Sequence, residues 1–212
     1  MNDTRVTAIA YVVDDDESTR TLWRWLMESN GIAVRTYASA AAFIEDYRGD
    51  PGCLVLDVQM PGMSGLELQD YLKAKGIEIP IVFVSGQGSV PAAVSALKSG
   101  AVDFIQKPFN YREVVAVIGQ AFRRDAELRA LQATRTRTAE RLARLTERER
   151  GVLQRIIEGK PNKVIAAELE ISVKTVEAHR AKVMEKLEAD SVAELVQRIL
   201  GFSLMEAPRD GG

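Results

Sequence analysis

The sequence predicts an α/β domain built on a five-stranded, doubly wound parallel sheet, joined by a long helical linker to a second, all-α domain. Through residue 122, five short apolar runs alternate with helix-like segments, which is typical of a parallel sheet covered by helices on both faces. The helical pattern then continues towards residue 145, and only helices and short turns follow. We therefore predict a first domain at 1–122, a linker at 123–144, a second domain at 145–205 and a disordered tail at 206–212.

The composition excludes several classes of protein. Of the 212 residues, 46% are hydrophobic and 27% are charged, as in a globular protein. No apolar run approaches the ~18 residues of a membrane helix, and the N-terminus lacks the apolar core of a signal peptide, so we expect a cytoplasmic protein without a membrane partner. Cys53 is the only cysteine, which excludes internal disulfides and thiolate zinc sites. His179 is the only histidine, which excludes Ser-His-Asp triads and multi-histidine metal sites from the first half of the chain.

Each element of the first domain is predicted from a local signal. Apolar runs predict strands at 8–13, 32–37, 54–56, 81–84 and 103–106. Caps and terminal glycines predict helices at 18–30, 39–47, 64–76 and 90–99, and one that starts at 111. Ser64 with Glu67 forms a capping-box pattern at the start of the third helix. On the first helix, we interpret Asp16 as an N-terminal charge, and we expect Trp25 in the core and Trp23 at the surface.

Polar side chains stand at the ends of four predicted strands. Asp57 ends a short apolar run and is followed at once by a Pro/Gly turn. The first strand ends in Asp14 and Asp15, the fourth in Ser85 and the fifth in Lys107. Because the carboxyl ends of parallel strands meet at one edge of a sheet, we expect these side chains to gather around Asp57.

The chemistry of such a cluster indicates a metal ion and a phosphoryl group. Carboxylates packed within a few ångströms repel each other, and Mg²⁺ is the counter-charge that suits hard oxygen ligands. An aspartate can attack a phosphoryl group while an ammonium and a metal stabilise the transferring oxygens. Any one of these acids alone would be interpreted as a charge at the surface of the protein. Because polar residues end four of the predicted strands, we favour a functional site for metal and phosphoryl binding. A haloacid-dehalogenase-type phosphatase also uses a nucleophilic aspartate, but it needs a second acid two residues later. This chain has Gln59 at that position, which argues against steady phosphatase turnover.

Four motifs resemble those of two-component receiver domains in order and spacing. They are Val12-Val13-Asp14-Asp15, Leu56-Asp57 with Met60-Pro61-Gly62, Val84-Ser85-Gly86 and Lys107-Pro108-Phe109, and the resemblance spans residues 6 to about 122. It implies a flavodoxin-like receiver fold in which Asp57 accepts a phosphoryl group from a sensor histidine kinase. It also implies that Asp15, Asp57 and the backbone carbonyl of Gln59 ligate Mg²⁺, with Asp14 acting mainly through water, and that the bond before Pro108 is cis.

The resemblance further implies a switch. Phosphorylation would draw Ser85 inward and vacate space for Phe104, which lies three residues before the lysine. Many receivers carry a tyrosine at this position. Phenylalanine cannot form a hydrogen bond when it moves inward, so only packing would favour its inner position. The surface of the helix at 90–99 and the strand at 103–106 would then become the face of a homodimer. Such a protein would accept one phosphoryl group and at most remove it slowly, so we expect no enzyme.

The second domain contains a helix, a tight turn and a helix at residues 162–177, which is the arrangement of a helix-turn-helix. Thr146 with Glu149 forms a capping-box pattern, Asn162 and Ser172 are candidate caps within the motif, and Ser191 opens a final helix that we expect to end at residue 200. One face of the second helix of the motif is apolar and should be core; its members are Val176, Val183 and Leu187.

This domain is similar to LuxR-type output domains. The similarity is carried by Leu145-Thr146-Glu147-Arg148-Glu149, Asn162-Lys163, Thr175-Val176-Glu177-Ala178-His179 and Lys186-Leu187. Together with the first domain and the linker, the chain resembles FixJ-like response regulators, which implies a transcription regulator that binds double-stranded DNA and contacts RNA polymerase. The face expected in the major groove carries Lys174, Glu177, Ala178, Ala181 and Lys182, and the candidates for phosphate contacts are Lys163, Ser172, Lys174, Thr175, Arg180 and Lys182.

Bulk charge gives this interpretation little support. Residues 141–212 carry 13 Lys/Arg and 12 Asp/Glu, a net charge of +1, whereas nucleic-acid-binding domains are commonly basic. The alternative is a receiver-gated regulator whose helical tail binds protein or RNA. A salt-dependent, sequence-selective complex with duplex DNA would distinguish the two.

Overall fold

A computed structural model describes residues 7–86 and 90–206, without the side chains of residues 90, 92 and 203–206. The predicted disordered tail therefore lies outside the described residues, except for Glu206, which ends the last helix. The chain divides into two compact units, Met1–Arg129 and Ala130–Gly212. None of the helices in the described part of the chain combines the length and apolar character that a membrane span requires.

The first unit is built on a parallel sheet. Its strands are β1 Ile9–Val13, β2 Ala33–Tyr37, β3 Gly52–Asp57, β4 Ile81–Ser85 and β5 Asp103–Gln106. Its helices are α1 Glu17–Ser29, α2 Ala40–Asp46, α3 Gly65–Ala74, α4 Val90–Lys98 and the start of α5 Tyr111–Ala143. The strands pair in the order β2-β1-β3-β4-β5, and every pair is parallel. The predicted five-stranded, doubly wound sheet is confirmed.

Alternating side chains of the strands feed two separate cores, one on each face of the sheet. Tyr11 and Leu56 point to a core that α2, α3 and α4 complete. Val12 and Val55 point to the opposite core, which α1 and α5 complete. Both faces are buried because each is covered by helices, which explains why the strands are apolar runs rather than alternating polar and apolar residues.

The two tryptophans of α1 occupy the reverse of the predicted positions. Trp23 is 1% exposed in the second of these cores, where its ring lies 5.3 Å from that of Phe109, whereas Trp25 is 60% exposed. The prediction was wrong because the buried stripe of α1 is formed by Trp23, Leu26 and Met27, which stand at the i, i+3, i+4 spacing of one helix face.

The second unit is helical. It contains the end of α5, then α6 Glu147–Ile157, α7 Asn162–Leu169, α8 Val173–Lys186 and α9 Val192–Glu206. One core joins these helices, and the predicted apolar face of α8 lies in it, with Val176, Val183 and Leu187 fully buried. Because α5 is a single helix, the residues predicted as a helical linker are helical through Ala143.

The helix ends of the second unit follow most of the predicted caps. The capping box of Thr146 and Glu149 is present, and Ser172 caps α8. Asn162 does not cap α7: it is the first residue of the helix, Pro161 precedes it, and no side-chain cap bond is formed. The turn between α7 and α8 places Glu170 in the left-handed region, with φ 53°.

Candidate functional site

The strands of the first unit deliver four polar side chains to the carboxyl edge of the sheet. Asp57 and Ser85 end β3 and β4, while Asp14 and Lys107 directly follow β1 and β5. Val13 pairs with Leu56, so Asp14 and Asp57 emerge side by side. The prediction that these four residues lie at one edge is confirmed, because the carboxyl ends of paired parallel strands meet at the same edge of the sheet.

Lys107 contacts the carboxylates of both Asp14 and Asp57. Its Nζ is 3.0 Å from Oδ2 of Asp14 and 3.6 Å from Oδ1 of Asp57. The side chains of these aspartates are 5% and 12% exposed, respectively, so their charges are poorly solvated. The peptide bond between Lys107 and Pro108 is cis, as expected from the resemblance.

Burial raises the pKa of the Asp57 carboxyl above its usual range, and the nearby charge of Asp14 adds to this rise. Two contacts oppose it: the charge of Lys107, and a hydrogen bond that the Gln59 backbone N donates to Oδ2 of Asp57 at 3.1 Å. The site thus holds two carboxylates against one ammonium. A further cation would lower the free energy of the ionised form of Asp57.

The three predicted carboxylate ligands do not converge as a set. Asp15 is exposed, and within residues 7–86 and 90–206 no group of three or more His, Cys, Asp or Glu side chains is arranged to hold a metal ion. Lys107 instead pairs with the carboxylates of both Asp14 and Asp57. The residues still fit Mg²⁺, because this ion commonly binds through one or two carboxylates and keeps several waters, and because the pair has an excess of negative charge.

The loop after β1 is ordered by its own hydrogen bonds. Oδ1 of Asp14 accepts from the backbone N of Asp16 at 3.0 Å, and the Asp16 side chain accepts from the backbone N of Ser18 to cap α1. The interpretation of Asp16 as a helix-terminal charge is confirmed. Sequence reasoning missed Arg20, whose Nη1 donates to the carbonyl oxygens of both Asp14 and Asp15 at 2.8 Å. Only its position on the first helix after the acidic run could have indicated this.

Gly65 is a second residue that sequence reasoning missed. A Cβ atom at this position would lie 2.2 Å from the backbone oxygen of Asp57, so only glycine allows the start of α3 to approach the acceptor strand so closely. The backbone N of Gly65 also donates to the carbonyl of Val58 at 3.0 Å. In the sequence, only the Pro/Gly-rich turn after Asp57 could have indicated this close approach.

The two residues of the predicted switch lie on neighbouring strands. Ser85 is 2% exposed at the end of β4, and its carbonyl oxygen accepts from the backbone N of Lys107 at 2.8 Å. Phe104, on β5, is half-buried, and its ring is stacked on that of Phe83 with centroids 6.3 Å apart. The geometry is compatible with the predicted switch, which stays a prediction.

In the second unit, the predicted DNA-contacting side chains lie on α8, except Lys163 on α7 and Ser172, the N-cap of α8. The exposed members of the candidate set are Lys163, Ser172, Lys174, Glu177, Ala178, Ala181 and Lys182, and the half-buried members are Thr175 and Arg180. The hydroxyls of Ser172 and Thr175 lie 2.8 Å apart, and Ser172 Oγ accepts from the backbone N of Thr175, so both serve the cap of α8. Val173, which was not predicted, is 41% exposed on the first turn of α8. The buried Nδ1 of His179 has no hydrogen-bond partner among the described residues.

Comparison with protein families assigns both units. Residues 10–119 match the response regulator receiver domain, and residues 143–199 match the luxR family of bacterial regulatory proteins. The chain is 44% identical over 191 residues to the transcriptional regulatory protein FixJ of Azorhizobium caulinodans, covering 90% of both proteins.

Two solved structures are similar to this chain over more than nine-tenths of its length. The response regulator StyR matches with a TM-score of 0.84 and 42% identity, over 92% of this chain and 98% of StyR. Full-length FixJ from B. japonicum matches with a TM-score of 0.56 and 39% identity, over 93% of this chain and 98% of FixJ. Both similarities extend across the receiver-like and the helix-turn-helix units.

Proposed function

Because this chain belongs to the two-component response regulators, with a receiver domain and a LuxR-type DNA-binding domain, we propose that phosphorylation of Asp57 by a sensor histidine kinase switches its dimerisation and DNA binding. The protein is a transcription regulator. The observation that carries the proposal is the contact of Lys107 with both Asp14 and Asp57 at the carboxyl edge of the sheet.

The proposed phosphoryl transfer uses the residues at this edge. A carboxylate oxygen of Asp57 forms a bond to phosphorus while the bond between phosphorus and the kinase imidazole breaks, and the imidazole nitrogen takes the electron pair. The Lys107 ammonium is within reach to pair with the phosphoryl oxygens, and the Ser85 hydroxyl is a candidate donor. Mg²⁺, held by Asp14, Asp15, Asp57 and the carbonyl of Gln59, would neutralise charge on the transferring oxygens.

The output follows from the second domain. Phosphorylation would change the surface of α4 and β5 through Ser85 and Phe104 and create a homodimer. The dimer would place two copies of α8 in adjacent major grooves, with Lys174, Glu177, Ala178, Ala181 and Lys182 facing the bases. We further propose a cytoplasmic protein that contacts RNA polymerase and has no activity as an enzyme beyond slow loss of its own phosphoryl group. The match to the luxR family favours DNA over the alternative of a protein- or RNA-binding tail.

Intact mass spectrometry with analytical ultracentrifugation tests the proposal. After incubation with Mg²⁺ and a small phosphodonor, the wild type should gain one phosphoryl group and shift from monomer to dimer. Asp57→Asn should do neither, because the amide cannot accept the group. Asp70→Asn is the matched control, since Asp70 is an exposed acid on α3, away from the strand ends.

Two results would contradict the proposal. If Asp57→Asn still gained a phosphoryl group, a residue other than Asp57 would be the acceptor. Single phosphorylation of the wild type without dimerisation would keep the acceptor site but remove dimerisation from the mechanism.

A further inference from the structure

Arg20 connects α1 to the backbone of the acidic loop. Its Nη1 donates two hydrogen bonds of 2.8 Å, one to the carbonyl oxygen of Asp14 and one to that of Asp15. Arg20 is half-buried, and within the described part of the chain its guanidinium is the side-chain donor to these two carbonyls. A charged donor to two consecutive carbonyls holds both peptide planes in one orientation.

The rest of the loop is held at other points. The backbone N of Asp14 donates to the carbonyl of Tyr37 at 3.2 Å, which extends the pairing of β1 with β2. The backbone N of Asp16 donates to Oδ1 of Asp14. Within the described residues, the exposed side chain of Asp15 makes no hydrogen bond, and the bond from Arg20 to its carbonyl is the contact that orients this residue.

We propose that Arg20 is a positioning residue for the divalent cation: it holds the backbone of Asp14 and Asp15 in an orientation from which their side chains can turn towards one ion shared with Asp57. The inference rests on the proposed function, because it concerns the same cation site. Residues that orient ligands in this way commonly change metal affinity by about 10- to 100-fold when they are removed. Arg20 itself touches neither the ion nor the phosphoryl group in this role.

The direction in which Arg20→Ala changes cation affinity distinguishes a positioning role from a purely electrostatic one. Arg20 carries a positive charge close to a site for a cation, so its charge alone weakens cation binding. If charge were its only influence, Arg20→Ala would bind the ion more tightly. If Arg20 positions the ligands, Arg20→Ala binds the ion more weakly in spite of the lost repulsion.

Cation affinity is measured on the full chain by titration with Mn²⁺, following the electron paramagnetic resonance signal of the free ion, and by displacement with Mg²⁺. We expect Arg20→Ala to weaken binding of both ions by about tenfold. Arg20→Lys, which keeps the charge and a shorter donor, should recover part of this loss. The matched control is Arg24→Ala, because Arg24 lies one turn further along α1 and its guanidinium bonds to Thr36 Oγ1 instead.

A second measurement distinguishes positioning from damage to the fold. The rate of phosphorylation by a small phosphodonor is measured against Mg²⁺ concentration. For Arg20→Ala, the half-saturating Mg²⁺ concentration should rise by the same tenfold factor, while the rate at saturation stays within about twofold of wild type. An equal loss at all Mg²⁺ concentrations would overturn the positioning role.

Several further results would overturn the proposed role of Arg20. Unchanged or tighter Mn²⁺ binding by Arg20→Ala overturns the inference and leaves the proposed function intact, and so does a loss of the same size in Arg24→Ala. If Arg20→Ala does not fold, Arg20→Lys decides, and wild-type affinity in that variant overturns the inference. Failure of the wild type to bind either ion overturns the cation site and, with it, this role of Arg20.

Discussion

Glu149 shows, at the scale of single residues, how a local cap can also serve tertiary structure. Its carboxylate is 4% exposed and accepts from the backbone N of Thr146 at 2.8 Å, which is the capping box that the sequence predicts. The same oxygen accepts from Nζ of Lys186 at 2.6 Å, and Lys186 also donates to the carbonyl of Arg144. One side chain therefore joins the start of α6 to the end of α8.

The hydrogen bond from Lys186, followed by that from Thr146, lowers the pKa of Glu149 from its ordinary value of 4.5 to about 2. Because the pKa is lower in the folded state, folding favours the ionised form. The stabilisation is complete above pH 4.5 and is lost as the pH falls from 4.5 towards 2.

We therefore expect Glu149→Gln to lower the free energy of unfolding at pH 7 by about 2 kcal/mol, because the half-buried ammonium of Lys186 loses its charge partner. The difference from wild type should shrink as the pH falls below 4.5. Denaturant unfolding followed by far-UV circular dichroism measures both. Glu147→Gln is the control, since Glu147 is exposed in the same helical turn. A difference that stays constant down to pH 3 would contradict the role of ionised Glu149.

At the scale of elements, α5 is bound to the loop before β3 by a polar clasp that we define as Asp125 and Arg129. Oδ2 of Asp125 accepts from the backbone N of Gly52 at 3.0 Å and from Nε of Arg129 at 2.8 Å. Arg129 also donates to the carbonyls of Gly49 and Asp50. Asp125 is 2% exposed, and Arg129 is the cation that pairs with its buried carboxylate. The contacts of α5 with the first unit thus continue beyond residue 122, although the predicted boundary there stays a prediction.

Arg129→Ala should destabilise the first unit by about 3 kcal/mol, because it leaves the buried carboxylate of Asp125 without its cation. Arg124→Ala should cost less than about 0.5 kcal/mol, since Arg124 is exposed and its pairing with Glu127 spans 4.0 Å. Denaturant unfolding followed by the fluorescence of buried Trp23 compares the two. Equal effects of the two substitutions would show that the clasp does not hold α5.

At the scale of the whole molecule, the charge of the chain has to be reconciled with DNA binding. The formal net charge is −2, and the second domain is nearly neutral. The basic side chains that could contact phosphates are therefore local, on the surfaces of α7 and α8, and the first domain carries the excess of acid. Such a distribution predicts that affinity depends on a few lysines and arginines rather than on a broad basic surface.

Lys174→Ala should weaken binding to every duplex by a similar factor, because the predicted contact is with phosphate. The slope of log K against log salt concentration should become shallower by about 1. The measurement is fluorescence anisotropy on phosphorylated protein, with one random-sequence duplex and one selected from a randomised pool. Lys73→Ala, on α3 of the receiver domain, is the control. An unchanged slope, or a loss confined to one duplex, would contradict a phosphate contact.

The sequence by itself determined the order of the elements, the parallel sheet, the helix-turn-helix and the residues gathered at the carboxyl edge. These features follow from periodicity, from caps such as Ser64 with Glu67, and from where strands end, all of which act over a few neighbouring residues. Only the tertiary structure decided that Trp23 rather than Trp25 is buried, that Lys107 contacts both Asp14 and Asp57, and that Arg20 and Arg129 bind backbone carbonyls. The physical reason is that these contacts depend on how each helix is rotated against the sheet and on partners distant along the chain, which no local pattern records.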